Sequence, residues 1–142
     1  MKRLVVILLV LATSAPATAA TLPGFRSPSG NISCLFIPSN GGSPATILCK
    51  LAHADYASAL QKRCEGLDWH GFLLPAARKG AVNCSGGILY NPNTQHPSYV
   101  TLAYGKTWRQ KMFSCTSHVD GVNCSNPHGH GMFISRQTWR TW

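Results

Sequence analysis

Six cysteines are spread through a chain of 142 residues that begins with an export-like leader, and no other feature constrains the fold as strongly. An exported chain reaches an oxidising compartment, where disulfides persist. An even number of cysteines fits complete pairing. We therefore expect three disulfides and no thiol free for catalysis or metal binding.

The first 20 residues have the three parts of a secretory signal peptide. Lys2 and Arg3 precede an apolar run over residues 4–12, and small residues follow. A membrane-spanning helix needs about 20 apolar residues, which neither this run nor any later one supplies. We predict cleavage after Ala19 or Ala20, and a secreted or periplasmic protein without a transmembrane anchor.

Residues 21–142 are of a length that suits one domain. Only the segment Asp55–Arg63 looks helical, since Asp55 can cap its start and basic residues suit its end. After Ala81 the chain consists of short strand-like segments separated by Gly, Pro and Asn. The stretch from Gly86 to Ser98 is expected to be a long loop. The predicted fold is mainly β: a small single domain of disulfide-stapled antiparallel hairpins with at most one short helix.

Two of the three disulfides can be argued from local spacing. Cys115 and Cys124 lie symmetrically about Val119 and Asp120, so a four-residue loop from His118 to Gly121 places them opposite each other across a hairpin. Alternation gives that hairpin an apolar face and a polar face, the latter formed by Ser114, Thr116, Asn123 and Ser125.

The same reasoning applies to Cys34 and Cys49, which flank a turn-rich stretch from Pro38 to Pro44. Six cysteines allow 15 pairings, but two hairpin bridges leave one pair. Cys64 and Cys84 are therefore paired by elimination.

Several segments resemble a bacterial family of short exported proteins that is catalogued as a domain of unknown function. The resemblance lies in residues 25–34 (FRSPSGNISC), 104–108 (YGKTW) and 113–136, which contain FSCTS, GVNCSN, GHG and SR. It implies an exported six-cysteine domain in which neighbouring cysteines are paired. It implies no activity, cofactor or catalytic residue.

The chain is strongly basic. Thirteen Lys and Arg face four Asp and Glu, and loss of Lys2 and Arg3 with the leader leaves a net charge of about +7. Such an excess favours an anionic envelope polymer, a lipid headgroup or an acidic protein surface as partner, with nucleic acid less favoured. A basic charge that merely keeps an exported protein soluble explains the composition equally well.

Two clusters combine cations with tryptophan. The first contains Lys106, Trp108, Arg109 and Lys111, and the second contains Arg136, Trp139 and Arg140, with Trp142 beside them at the C-terminus. Exposed aromatic rings beside cations stack on sugars or bases. The competing interpretation, which we weigh more heavily, is that these tryptophans complete the core of a small domain.

Histidines are the remaining candidates for chemistry. His128 and His130 would share one side of a strand and could hold a metal ion, but further ligands are scarce and the adjacent glycines favour a turn. We expect no metal and no cofactor. Acid–base catalysis by His118, His128 and His130 near Lys106 and Lys111 defines the enzyme alternative.

We therefore expect a monomeric exported binding module for an anionic envelope component or a protein partner. A non-catalytic role is favoured over an enzyme. The alternatives are a small secreted hydrolase using histidine acid–base chemistry, and an inhibitor of an exported enzyme.

Overall fold

The structure is a computed structural model that describes residues 19–142, so the predicted leader lies almost entirely outside the described residues. Within this range there are eleven strands and one helix, and the mainly β prediction is confirmed. The elements are β1 (Ala20–Arg26), β2 (Ile32–Ile37), β3 (Thr46–Leu51), α1 (Ala57–Arg63), β4 (Asp68–Pro75), β5 (Ala81–Ser85), β6 (Gln95–Thr101), β7 (Thr107–Gln110), β8 (Phe113–His118), β9 (Gly121–Ser125), β10 (Gly131–Ile134) and β11 (Trp139–Thr141).

The strands form two sheets. The six-stranded sheet has the order β5-β4-β3-β2-β1-β6, and the five-stranded sheet has the order β11-β10-β9-β8-β7. Neighbouring strands pair antiparallel, except that β1 and β6 run parallel. Because consecutive strands are mostly neighbours, each sheet is built largely from hairpins.

The two sheets pack face to face as a sandwich, and aromatic pairs mark the contact. Phe36 of β2 lies 6.1 Å from Phe113 of β8, measured between ring centroids. Both rings are buried within the apolar cluster that joins the sheets. Such edge-to-face pairs add about 0.5–1.5 kcal/mol beyond their area burial.

All six cysteines are paired as the sequence predicts. Cys34 is bonded to Cys49, Cys64 to Cys84, and Cys115 to Cys124. In the two hairpins the bonded cysteines are direct cross-strand partners. The β8–β9 turn is tighter than expected, because His118 and Gly121 still pair and only two residues form the loop.

The helix is shorter than its predicted span of Asp55–Arg63. It begins after Tyr56, and no side chain caps it. Asp55 instead accepts a 3.1 Å hydrogen bond from Nε of Arg136. Its backbone N–H also donates to the Arg136 carbonyl, so this pair ties the segment before α1 to the β10–β11 turn.

The predicted long loop from Gly86 to Ser98 is wrong in its last four residues, which belong to β6. Pro97 is tolerated there because β6 is an edge strand, where a missing N–H leaves no ladder partner unsatisfied. Its pairing partner β1 is separated from it by about seventy residues of chain, so no local pattern indicated the strand. Within residues 19–142, α1 is too short to cross a bilayer.

Candidate functional site

Two tryptophans of the predicted binding clusters, Trp108 and Trp139, face the core, whereas Trp142 is exposed. Trp108 packs on Phe25 with ring centroids 5.1 Å apart, and Trp139 packs on Phe72 at 5.2 Å. Each ring is half-buried against the apolar cluster between the sheets. Their main role is therefore structural, as the more heavily weighed interpretation of the sequence predicts.

The two basic clusters lie at opposite edges of the five-stranded sheet, because β7 is one edge strand and β11 the other. Lys106 and Lys111 flank β7 and are exposed. Arg136 lies in the β10–β11 turn, and its guanidinium forms an ion pair with the Asp55 carboxylate. The seven predicted binding residues therefore do not form one compact patch.

Two of the seven, Arg109 and Arg140, nevertheless point to the same surface, the outer face of the five-stranded sheet. Successive side chains of a strand point to opposite faces of the sheet. Arg109 and Arg140 therefore point outward, since their neighbours Trp108 and Trp139 point inward. Two cross-strand rows of residues run across this outer face. One row contains Thr107, Thr116, Asn123, Phe133 and Arg140, and the other contains Arg109, Ser114, Ser125, Gly131 and Trp142.

At the β11 edge of the outer face, one guanidinium lies between two aromatic rings. Cζ of Arg140 is 5.4 Å from the ring centroid of Phe133 and 5.6 Å from that of Trp142. Cation–π contacts of this kind contribute about 0.5–1 kcal/mol when exposed. Three side chains thus form an ordered stack on the sheet.

Glycines beneath the two rings make the stack possible. A Cβ on Gly131 would lie 2.5 Å from Cζ2 of Trp142, and a Cβ on Gly121 would lie 2.8 Å from Cζ of Phe133. Neither approach is sterically allowed, so both positions require the absence of a side chain. Both rings consequently lie close against the sheet, and Trp142 is 40% exposed at its edge.

The rest of the outer face is a ladder of hydroxyl and amide groups. Oγ1 of Thr107 and Oγ1 of Thr116 are 2.8 Å apart, and Arg109 donates to Oγ of Ser114 at 3.3 Å. Asn123 and Ser125 are exposed beside them. The alternation of side chains in β8 and β9 predicted this polar face from the sequence.

Acidic side chains are nearly absent from the outer face. All four acidic residues of the chain fall within the described range, and Asp120, in the β8–β9 turn, is the one at the border of this face. Arg109 and Arg140 therefore give the outer face a positive potential. Four strand spacings separate them, which corresponds to about 19 Å.

A cavity of about 610 Å³ opens at the end of the sandwich where the β8–β9 and β10–β11 turns lie. Its lining comes from segments that carry the family resemblance, together with the loop after β3. The polar lining residues are Ser27, Ser29, Asn31, His53, Tyr104, His118, Asp120, Ser135, Arg136 and Gln137.

Some of these polar groups only build the walls. The amide of Asn31 donates to the His53 carbonyl at 3.0 Å and accepts from the His53 N–H at 2.8 Å. Oγ of Ser27 accepts from the Ile32 N–H, and Oγ of Ser135 closes the β10–β11 turn. The walls are thus fixed by side-chain to backbone bonds.

Tyr56 supports the same wall from beneath. Its hydroxyl donates to the Ser135 carbonyl at 2.8 Å. Burial raises the pKa of Tyr56 to about 12, and the nearby Asp55 charge contributes to the rise. The phenol is therefore a neutral hydrogen-bond donor across the physiological range.

The histidines that were predicted as a group are separated. His118 lines the cavity, whereas His128 and His130 lie at the other end of β9, in the β9–β10 turn. Both of their backbone N–H groups donate to Oδ1 of Asn126. They lie in a turn and not along a strand, which is the conformation that the adjacent glycines favour.

Among residues 19–142, the one close group of three potential metal-ligand atoms consists of the sulfurs of Cys34, Cys49 and Cys124. All three are in disulfides. They therefore carry no thiolate to offer a metal ion.

The candidate site residues that the sequence analysis did not single out are Phe133 and His53. Phe133 was detectable, because alternation in Gly131–Ile134 sets it against the buried Met132 and Ile134. His53 had no local signal, since its backbone is held by Asn31, 22 residues earlier in the chain.

Two sheets packed face to face, three disulfides and one short helix define a small disulfide-bonded β-sandwich protein. Three such bonds fit an exported protein. Residues 3–140 match a family of unknown function, DUF6636, so the chain belongs to that family. No curated protein and no solved structure showed significant similarity to it.

Proposed function

We propose that this protein is an exported, non-catalytic binding module that holds an anionic glycan of the cell envelope on the outer face of the five-stranded sheet. The observation that carries the proposal is the position of Arg140 between the rings of Phe133 and Trp142.

The stack suits a glycan that contains acidic sugars. Sugar rings present apolar C–H faces, which pack on flat aromatic surfaces. The planar guanidinium fork binds a carboxylate through two parallel hydrogen bonds. Arg140 therefore supplies the charge contact and its two neighbours supply the stacking surface.

The remaining outer face fits an extended chain. Hydroxyl and amide groups of Thr116, Asn123 and Ser125 lie between the two guanidinium groups and can exchange hydrogen bonds with sugar hydroxyls. Because the sheet surface is broad and not a deep cleft, it favours a polymer that lies along it.

Nucleic acid fits less well. Tight binders of duplex DNA neutralise about 6–10 phosphates, whereas the outer face offers the guanidinium groups of Arg109 and Arg140. An acidic polysaccharide with spaced carboxylates matches two cations about 19 Å apart better.

The test is affinity electrophoresis of the purified, oxidised protein in gels containing polygalacturonate. Retardation is expected at low salt and should fall as salt screens the charges. Arg140→Ala should weaken binding about tenfold, and Arg140→Lys nearly as much, because a lysine keeps the charge without the planar fork.

Arg78→Ala is the matched control, since Arg78 is exposed, carries the same charge and lies in the β4–β5 loop. Equal losses for Arg78→Ala and Arg140→Ala would contradict the proposal. Tighter binding to duplex DNA or to anionic vesicles than to polygalacturonate would contradict it as well.

A further inference from the structure

We infer that the 610 Å³ cavity at the end of the sandwich is a second binding site, which takes a neutral sugar unit. The inference rests on the proposed function only in assigning that sugar to the same polymer. The site itself is argued from the groups that line the cavity.

Five lining side chains have hydrogen-bonding atoms to spare. They belong to His53, Tyr104, His118, Asp120 and Gln137, and all five are exposed. Within residues 19–142 none of these side chains makes a hydrogen bond. The polar groups that build the walls are satisfied, so these five are the ones available to a ligand.

The available groups include both hydrogen-bond donors and acceptors, and this combination indicates the class of ligand. Imidazole, phenol and amide groups both donate and accept, whereas the Asp120 carboxylate only accepts. A simple anion needs donors, would be repelled by Asp120, and finds the lining cation Arg136 already paired with Asp55.

Among residues 19–142, the cavity also lacks a suitable set of ligands for a divalent cation. Within the described residues, His53, His118 and Asp120 do not bring three ligand atoms within 4.8 Å of one another. A polyhydroxylated molecule, which donates and accepts at every carbon, matches the mixed set. The Tyr104 ring, 43% exposed, offers it a stacking surface.

One residue lies at the border between the cavity and the outer face. Asp120 lines both the large cavity and a smaller one of about 310 Å³ that also contains Phe133 and Arg140. A glycan lying on the aromatic stack therefore reaches the cavity by passing Asp120, and one unit can enter it.

The test is a titration of the ¹⁵N-labelled oxidised protein with cellotriose, N,N′,N″-triacetylchitotriose and maltotriose, followed by amide chemical shifts. At least one trisaccharide should shift the amides of His53, Tyr104, His118 and Gln137. Since the probes are uncharged, these shifts should persist at high salt. No cavity shifts with any of the three would overturn the inference.

The paired variants are His118→Ala and His128→Ala, two exposed histidines at opposite ends of β9. His118→Ala should weaken trisaccharide binding about fivefold, the effect of one hydrogen bond, and His128→Ala should not. Equal effects of the two variants would overturn the inference.

The two proposals fail separately. Polygalacturonate retardation that depends on Arg140, without cavity shifts, removes the sugar site and leaves the proposed function. Cavity shifts without Arg140-dependent retardation remove the proposed function and leave the sugar site.

Discussion

The sulfur atoms of Cys34 and Cys124 lie within 4.8 Å of each other although no bond joins them. Cys34 belongs to the six-stranded sheet and Cys124 to the five-stranded sheet. Each is bonded to its own hairpin partner, and all four cysteines are at most 1% exposed. The two bridges therefore pack against each other at the centre of the sandwich.

This contact predicts that the Cys115–Cys124 bridge stabilises the fold more than the Cys64–Cys84 bridge, although loop length alone predicts the opposite order. The loop-entropy relation assigns Cys64–Cys84, with a separation of 20, about 0.7 kcal/mol more stabilisation than Cys115–Cys124, with a separation of 9. Removing the central bridge also leaves a cavity in the core. We expect the Cys115→Ala, Cys124→Ala protein to be the less stable by about 1 kcal/mol or more.

Guanidinium chloride unfolding of the two double variants measures the difference. The variant Cys64→Ala, Cys84→Ala serves as the control, because Cys84 is only half-buried. A larger loss in that control would show that loop length, and not packing, decides the contribution of each bridge.

Gly131→Ala should disturb the aromatic stack. The new methyl group would lie 2.5 Å from the Trp142 ring and 2.6 Å from the Cys124 carbonyl oxygen, so the ring must move. We expect a loss of about 1–3 kcal/mol in unfolding free energy, the usual cost of overpacking. Near-ultraviolet circular dichroism should report the displaced indole, and polygalacturonate affinity should fall.

Gly87→Ala is the matched control for that substitution. Nothing lies within 4 Å of its added Cβ, and the backbone there is not left-handed. Its stability and tryptophan signal should match those of the original protein. A Gly131→Ala protein that behaves like this control would refute the role given to Gly131.

Asn126→Asp should be strongly destabilising. Nδ2 of Asn126 donates to the carbonyls of Pro75 and Arg78 at 2.9 and 3.0 Å, and the residue is 6% exposed. A carboxylate loses both donors and sets a negative charge against two carbonyl oxygens. We expect a loss of about 2–3 kcal/mol at neutral pH, measured by thermal or denaturant unfolding.

The deficit should shrink in acid, because a protonated carboxyl group regains one donor. Asn123→Asp is the control, since Asn123 is exposed and its substitution adds the same charge. Comparable losses in the two variants would mean that charge, and not the lost donors, causes the effect.

Tyr56→Phe should lower stability by about 1 kcal/mol at neutral pH through the lost bond to Ser135. Since the folded-state pKa of Tyr56 is raised from 10.0 to about 12, its protonated form stabilises the fold below pH 10. That contribution is lost as the pH rises from about 10 towards 12. The gap between the two proteins should therefore narrow over this interval.

Denaturant unfolding at several pH values up to 12 measures that gap. Tyr99, whose pKa burial also raises, leaves a residual alkaline loss in both proteins. Tyr104→Phe is the control, because Tyr104 is exposed and its hydroxyl makes no hydrogen bond within the described residues. A gap that stays constant with pH would contradict the role assigned to the Tyr56 proton.

Prediction from sequence succeeded where neighbours in the chain are neighbours in space. Cys115 and Cys124 pair because a two-residue turn joins their strands, and Cys34 and Cys49 pair because the loop over residues 38–45 joins β2 directly to β3. It failed at Asp55, which was predicted to cap the start of the helix. Its carboxylate instead binds Arg136, 81 residues away in the chain. Local patterns carry no information about such competition.

The candidate site follows the same division. Alternation within β8 and β9 was enough to place Thr116 and Asn123 together on a polar face. The stack of Phe133, Arg140 and Trp142 depends on how β10 and β11 pair and on the glycines beneath the rings. The cavity depends further on bringing His53 beside the β8–β9 turn.

The amino-acid sequence by itself determined the three disulfides, the hairpins they join and the basic character of the chain, because these follow from spacing, alternation and composition. Only the tertiary structure decided which cations face solvent together, which tryptophans are buried, and which turns enclose the cavity. These depend on the pairing of distant strands and on the packing of one sheet against the other, where many residues contribute at once.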